Sequence, residues 1–190
     1  MSKLIIVESP AKCKKIEEYV GTEYKCVASF GHLTTLSDLK SIDVNNNYTP
    51  NFTIIKEKHK YVTMLQKKIN ESSEIFLASD DDREGEAIAW HICKLFDLPV
   101  NSTKRIIFHE ITKSAVQEAL KYPKFIDLNI VQAQQTRQIL DILVGFKFSP
   151  LLWKHISPAY KDGLYAGRCQ TPALRLIYDN EIEINNNPGD

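Results

Sequence analysis

Short, uniformly apolar runs alternate along this chain with longer segments whose apolar residues recur three or four apart. That is the pattern of strands buried on both faces of a parallel sheet, joined by amphipathic helices. The run over 4–7 ends in Glu8, followed by Ser9 and Pro10, which read as N-cap and first residue of a helix continuing through Ile16 and Val20 to Gly21. A second strand is predicted over 24–30, leading into Gly31 and His32, and residues 37–53, rich in Ser, Asp and Asn, read as a loop. A helix over about 57–70 precedes the apolar run 75–78. Beyond it Ile88, Ile92, Leu95 and Phe96 return to helical spacing. A strand over 105–108 and a helix over 112–121 complete an alternating order that predicts an α/β fold, a parallel sheet flanked by helices.

After Pro123 the pattern is helical only, which suggests the beginning of a second domain, 121–190, after a first over 1–120. Residues 129–145 form an amphipathic helix with Gln134, Arg137, Gln138 and Asp141 as its polar stripe and Ile130, Ile139, Leu143 and Val144 on its apolar side. A separate short helix should contain Leu151, Leu152 and Trp153. A last one begins in the segment AGRCQTPALRL, with Thr171 as cap and Pro172 in the first turn.

Charge changes this picture at one place. The chain is neutral over its 190 residues, yet residues 71–90 hold seven acids and one base. The flanks, 1–70 and 120–178, carry net charges of +4 and +5. Asp80, Asp81, Asp82, Glu84 and Glu86 fall in the turn between the strand 75–78 and the next helix, at the carboxyl end of a strand, where open α/β sheets place their ligands. Helix capping accounts for one or two of these acids. The spacing of Asp80, Asp82 and Glu84 also suits an oxygen-only Mg²⁺ site, and from spacing alone a metal site and a solvated helix start stand side by side.

Four dispersed cysteines, Cys13, Cys26, Cys93 and Cys169, argue against a disulfide scaffold or a zinc site. Without a signal peptide or a membrane-spanning apolar run, the expectation is a protein of the cytoplasm or another reducing intracellular compartment, not secreted and with no membrane partner.

The segments IIVESPAKCKKIEEYVG, LASDDDREGEAIAWHI, FHEIT, QQTRQILDILVGFKFSPLLW and AGRCQTPALRL together resemble, in order, the amino-terminal part of type IA DNA topoisomerases. The resemblance implies a Toprim domain, the metal-binding fold shared with bacterial primases, followed by the start of a helical domain that holds single-stranded DNA. It implies a function in Mg²⁺-dependent transient cleavage of one strand of underwound duplex, strand passage and religation through a 5′-phosphotyrosine. It assigns Glu8 and Lys12 to catalysis and Glu8, Asp80, Asp82 and Glu84 to Mg²⁺. It assigns His32, Arg137, Gln138, Asp141, Phe146, Trp153 and the stretch Tyr165, Ala166, Gly167, Arg168, Cys169 and Gln170 to DNA. Rings for bases and cations for phosphates are what a threaded single strand needs. Arg137 and Asp141 read equally as an i, i+4 ion pair and Trp153 as a core residue.

Departures from the family pattern lie at Thr34 and Thr35, where an Arg and an Asp are usual, and at Cys13, Gln138, Phe146 and Tyr165. None touches the acidic triad. No tyrosine here lies in a segment resembling the family's nucleophile, so the chain is expected to be inactive alone, and a monomer is expected. Another Toprim enzyme, a primase or a nuclease, and a non-catalytic DNA-binding fragment are the alternatives.

Overall fold

A computed structural model describes residues 2–156 and 163–187. The elements, in order, are β1 (Lys3–Val7), α1 (Pro10–Val20), β2 (Tyr24–Ala28), β3 (Thr34–Thr35), β4 (Ile42–Asp43), β5 (Thr49–Pro50), β6 (Thr53–Ile54), α2 (His59–Asn70), β7 (Glu74–Ala78), α3 (Arg83–Leu95), β8 (Lys104–Arg105), α4 (Lys113–Lys121), α5 (Leu128–His155) and α6 (Gln170–Asn186). Two compact units result, Met1–Thr35 with Phe52–Gln135 and Leu36–Asn51 with Thr136–Asp190.

The first unit is built on a four-stranded sheet of order β2-β1-β7-β8, every pairing parallel. Alternation along β1 explains its two faces. Leu4 and Ile6 join Leu65 and Ile69 of α2 and Ile88 and Ile92 of α3 in one core, while Ile5 and Val7 join Ile16 of α1 and Val116 of α4 in the other. Helices cover both faces, so the two central strands β1 and β7 are apolar beyond their first residues, Lys3 and Glu74, as the sequence pattern required. With all strands parallel, their carboxyl ends share one edge. Val7 is in register with Ala78, and Glu8 and Asp80 leave neighbouring strands side by side.

Several boundaries differ from expectation, each for a local reason. Strand β2 ends at Ala28, because Phe30 (φ 61°) and Gly31 (φ 80°) take left-handed backbone and turn the chain. The Asn-rich loop contains two-residue strands, β4 paired with β5 in the second unit, too short to leave a periodic signal. Strand β8 is shorter than 105–108. Helix α5 is one helix of 28 residues, not two, and Pro150 sits inside it. Pro150 lacks the amide that would bond the Phe146 carbonyl, yet the helix continues past it. Helix α6 begins at Gln170 with Cys169 at the N-cap. The expected cap, Thr171, lies within the helix and its hydroxyl accepts from Gly167 N (3.1 Å).

Candidate functional site

The shared carboxyl edge of the sheet gathers the acids. Glu8 Oε1 accepts from the backbone amide of Asp80 (2.9 Å), which fixes the first strand's carboxylate on the second strand's turn. Lys12, in the first turn of α1, bonds Asp80 Oδ1 with its ammonium. Asp82 is the N-cap of α3, its Oδ1 accepting from Gly85 N at 2.7 Å. Gly85 permits the close approach of this helix start. A Cβ there would lie 2.2 Å from Asp80 O and 2.8 Å from Asp80 N, both backbone atoms that cannot give way. Lys12 and the three consecutive aspartates line a cleft of about 390 Å³ together with Phe108, His109 and Glu110.

Beneath this turn lies a buried ion pair. Arg105 and Glu86, with side chains 2% and 4% exposed, meet at 2.7 Å. Arg105 also donates to Asp80 O (2.6 Å) and Ser79 Oγ (3.2 Å), and the other Glu86 oxygen accepts from Asp127 N (2.7 Å). Buried charge is costly unless its hydrogen bonds are filled. Here they are filled by Asp80 O, Ser79 Oγ and Asp127 N, so the pair holds the Asp80 backbone in place.

Glu84 has different partners. Its Oε2 accepts from Gln134 Nε2 (3.0 Å) and meets His32 Nε2 at 3.1 Å. His32 reaches this point because Ser29 N and Gly31 N bond the carbonyls of Val7 and Glu8, folding the loop after β2 over the sheet edge. His91 packs next to His32, against Phe52 (ring centroids 4.3 Å) and Trp90 (4.9 Å). Burial, aided by the charge of His32, pushes the His91 imidazole down to about 4. Among the described residues, no three Asp, Glu, His or Cys side chains converge closely enough to hold a metal ion. Each acid of the triad has its own partner instead.

The second unit holds the other residues named from the sequence. Arg168 Nε and Nη2 donate to the two carboxylate oxygens of Asp141 (3.0 and 3.4 Å), and this ion pair raises the Arg168 guanidinium above its ordinary value. Asp141 is therefore paired with Arg168 rather than with Arg137, four residues before it. Trp153 is half-buried, donates from Nε1 to Leu164 O (2.6 Å) and meets Tyr165 edge-on at 6.4 Å. Ala166 N donates to Ser149 Oγ, and Gln170 Nε2 to Tyr165 O, both at 3.0 Å. Phe146, Trp153, Tyr165 and Asp141 line an apolar cavity of about 370 Å³. Cys169 is exposed and free, and Arg137 and Gln138 are half-buried, with Gln138 Oε1 lacking a partner.

A family model described as the Toprim domain matches residues 3–111, more than half of the chain. The chain belongs to the Toprim domain family. A second model, described as DNA topoisomerase, matches residues 126–188. The solved structure of full-length topoisomerase I from Thermotoga maritima is similar at 43% identity and a TM-score of 0.85, over 95% of this chain and 30% of that one. Together these findings support an amino-terminal type IA topoisomerase segment, and the chain spans about 30% of the length of the topoisomerase it matches.

The partners of Gln134, Arg105 and Glu86 are not legible in the sequence. Gln134 belongs to the polar stripe of its helix yet is only 1% exposed, and nothing in the helix's own periodicity distinguishes a polar residue facing water from one facing a buried partner. Arg105 and Glu86 left a fainter signal. An arginine opening the apolar run 105–108 is a charge inside a buried strand, which demands a partner.

Proposed function

We propose that this chain is the metal-binding and strand-holding part of a type IA DNA topoisomerase, which relaxes DNA by Mg²⁺-dependent transient cleavage of one strand. Residues 1–120 serve the metal and scissile phosphate, and 121–190 begin the domain that holds the single strand. The observation that carries this reading is the Glu8 carboxylate on the Asp80 amide, two acids from different strands at one sheet edge. The donor chemistry fits a hard divalent cation. The candidate ligands Glu8, Asp80, Asp82 and Glu84 are all carboxylates, and the Lys12 ammonium on Asp80 is a positive charge already accommodated there.

Bound by those carboxylates, Mg²⁺ would offset charge on the scissile phosphate. The chain's own groups have separate tasks. Glu8 passes a proton to the 3′ oxygen as the phosphodiester bond breaks, and Lys12 meets a phosphate oxygen on leaving Asp80. Arg168, Phe146, Trp153 and Tyr165 grip the strand through phosphate and bases. The nucleophilic tyrosine is none of the eight in this chain, so the chain alone does not relax DNA. It acts as a monomer in a reducing intracellular compartment.

Fluorescence anisotropy with single-stranded oligonucleotides tests this. Binding should weaken as salt rises, and Arg168→Ala should weaken it alike for unrelated sequences while flattening the salt slope by about one phosphate contact. With Mg²⁺ and labelled DNA, denaturing gels should show no covalent adduct. Wild-type affinity and slope in Arg168→Ala would refute the strand path, and label retained on any tyrosine would refute the assignment of the nucleophile elsewhere.

A further inference from the structure

Among the described residues of the first unit, every exposed large apolar side chain falls within nine residues: Tyr122 (72% exposed), Phe125 (57%), Leu128 and Ile130. Lys121 and Lys124, also exposed, alternate with the two rings in the order Lys-Tyr-Pro-Lys-Phe. Neither lysine has an ion-pair partner among the described residues. Asp127, the nearest acid on the carboxyl side, is occupied, its Oδ1 accepting from Asn129 N (2.8 Å).

This strip is not a frayed connection. Lys124 exchanges both backbone hydrogen bonds with Arg105 (2.7 and 2.8 Å), Tyr122 N bonds Glu118 O at the end of α4, Ile126 is buried, and Asp127 N is held by Glu86. The backbone is thus strapped to the edge strand β8 while its rings face solvent. Exposed apolar side chains clustered on an anchored backbone mark a binding surface. Two flat rings between ammonium groups suit one occupant above others, a single-stranded nucleic acid whose bases stack on the rings and whose phosphates meet the lysines. The strip also leads somewhere. Ile130 and Asn129 form one wall of a cleft of about 530 Å³ whose other wall is Asp81, Asp82, Arg83 and Glu86.

The geometry points to residues 121–125 as a second single-strand contact, separate from the residues of the second unit, which leads the strand toward the acidic turn. It rests on the proposal that this chain handles single-stranded DNA. Holding the backbone that carries the rings in place beforehand reduces the ordering cost of binding.

The test is anisotropy with oligothymidylate on the whole chain. Tyr122→Ala with Phe125→Ala should weaken binding about 25-fold, the low end for two stacked bases, with an unchanged melting temperature. Exchanging the rings, Tyr122→Phe with Phe125→Tyr, should keep affinity within about twofold, because either ring stacks. Lys121→Gln with Lys124→Gln should flatten the salt slope by about two. If wild type and Arg168→Ala differ as expected but the double alanine variant binds like wild type, the strip contact is overturned and the proposed function stands. If wild type binds no single strand, both fall. If the double alanine change instead abolishes self-association in sedimentation and leaves DNA affinity intact, the strip is a protein interface and the inference is overturned.

Discussion

Replacing Arg105 by Met keeps the volume of the side chain while removing its charge and three hydrogen bonds. Glu86 then remains buried with no cation, and the carbonyl of Asp80 loses its 2.6 Å donor. Breaking a buried pair from one side costs about 3–5 kcal/mol, most of it the penalty on the charge left behind. For a chain of 190 residues each kcal/mol lowers the melting temperature by roughly 2–4 °C, so a fall of about 10 °C is expected. Glu86→Gln loses the charge but keeps an acceptor for Asp127 N, and should cost less. Combined, Arg105→Met and Glu86→Gln should cost about 2 kcal/mol less than the sum of the two, since the double variant strands no charge. Urea unfolding followed by circular dichroism measures all three variants, with a constant slope against denaturant as the check on two-state behaviour. A cost below about 1 kcal/mol for Arg105→Met, or additive costs, would refute the claim that this pair supports the acidic turn.

Two further predictions concern the same region. His91 ordinarily titrates near 6.5 but is held down at about 4, so the folded state disfavours its protonation. Its contribution is complete above about pH 6.5 and is lost as pH falls toward 4. Wild type should lose about 2 kcal/mol more stability between pH 7 and 5 than His91→Phe, and equal losses in urea titrations at the two pH values would contradict this. Gly85→Ala should destabilise by about 1–3 kcal/mol or more because its methyl meets the Asp80 backbone, whereas a neutral effect on the melting temperature would show that the helix start shifts freely.

How far the sequence discloses the fold depends on whether its signals are local. The runs 4–7 and 75–78 read as strands because burial on both faces leaves only apolar residues, and their parallel adjacency follows from the alternating order. That juxtaposition brings Glu8 to Asp80, so the centre of the candidate site was legible. What escaped depends on tertiary partners. Gln134 faces Glu84 rather than water, Arg168 takes Asp141 from Arg137, and α5 runs through Pro150 where local rules end a helix. Propensity and periodicity describe a helix by itself, and none of these three outcomes is decided by the helix alone.

We propose that the acids at the sheet edge take up Mg²⁺. Thermal unfolding of the whole chain across a Mg²⁺ titration, with Na⁺ at matched ionic strength as reference, tests it most directly. Asp80→Asn with Asp82→Asn is the variant to compare, because asparagine keeps a side-chain oxygen for the helix cap on Gly85. Wild type should gain stability with Mg²⁺ beyond the Na⁺ reference, by about 1.4 kcal/mol when the ion is at ten times its dissociation constant, and the double variant should gain none. An equal gain in both proteins would contradict the account.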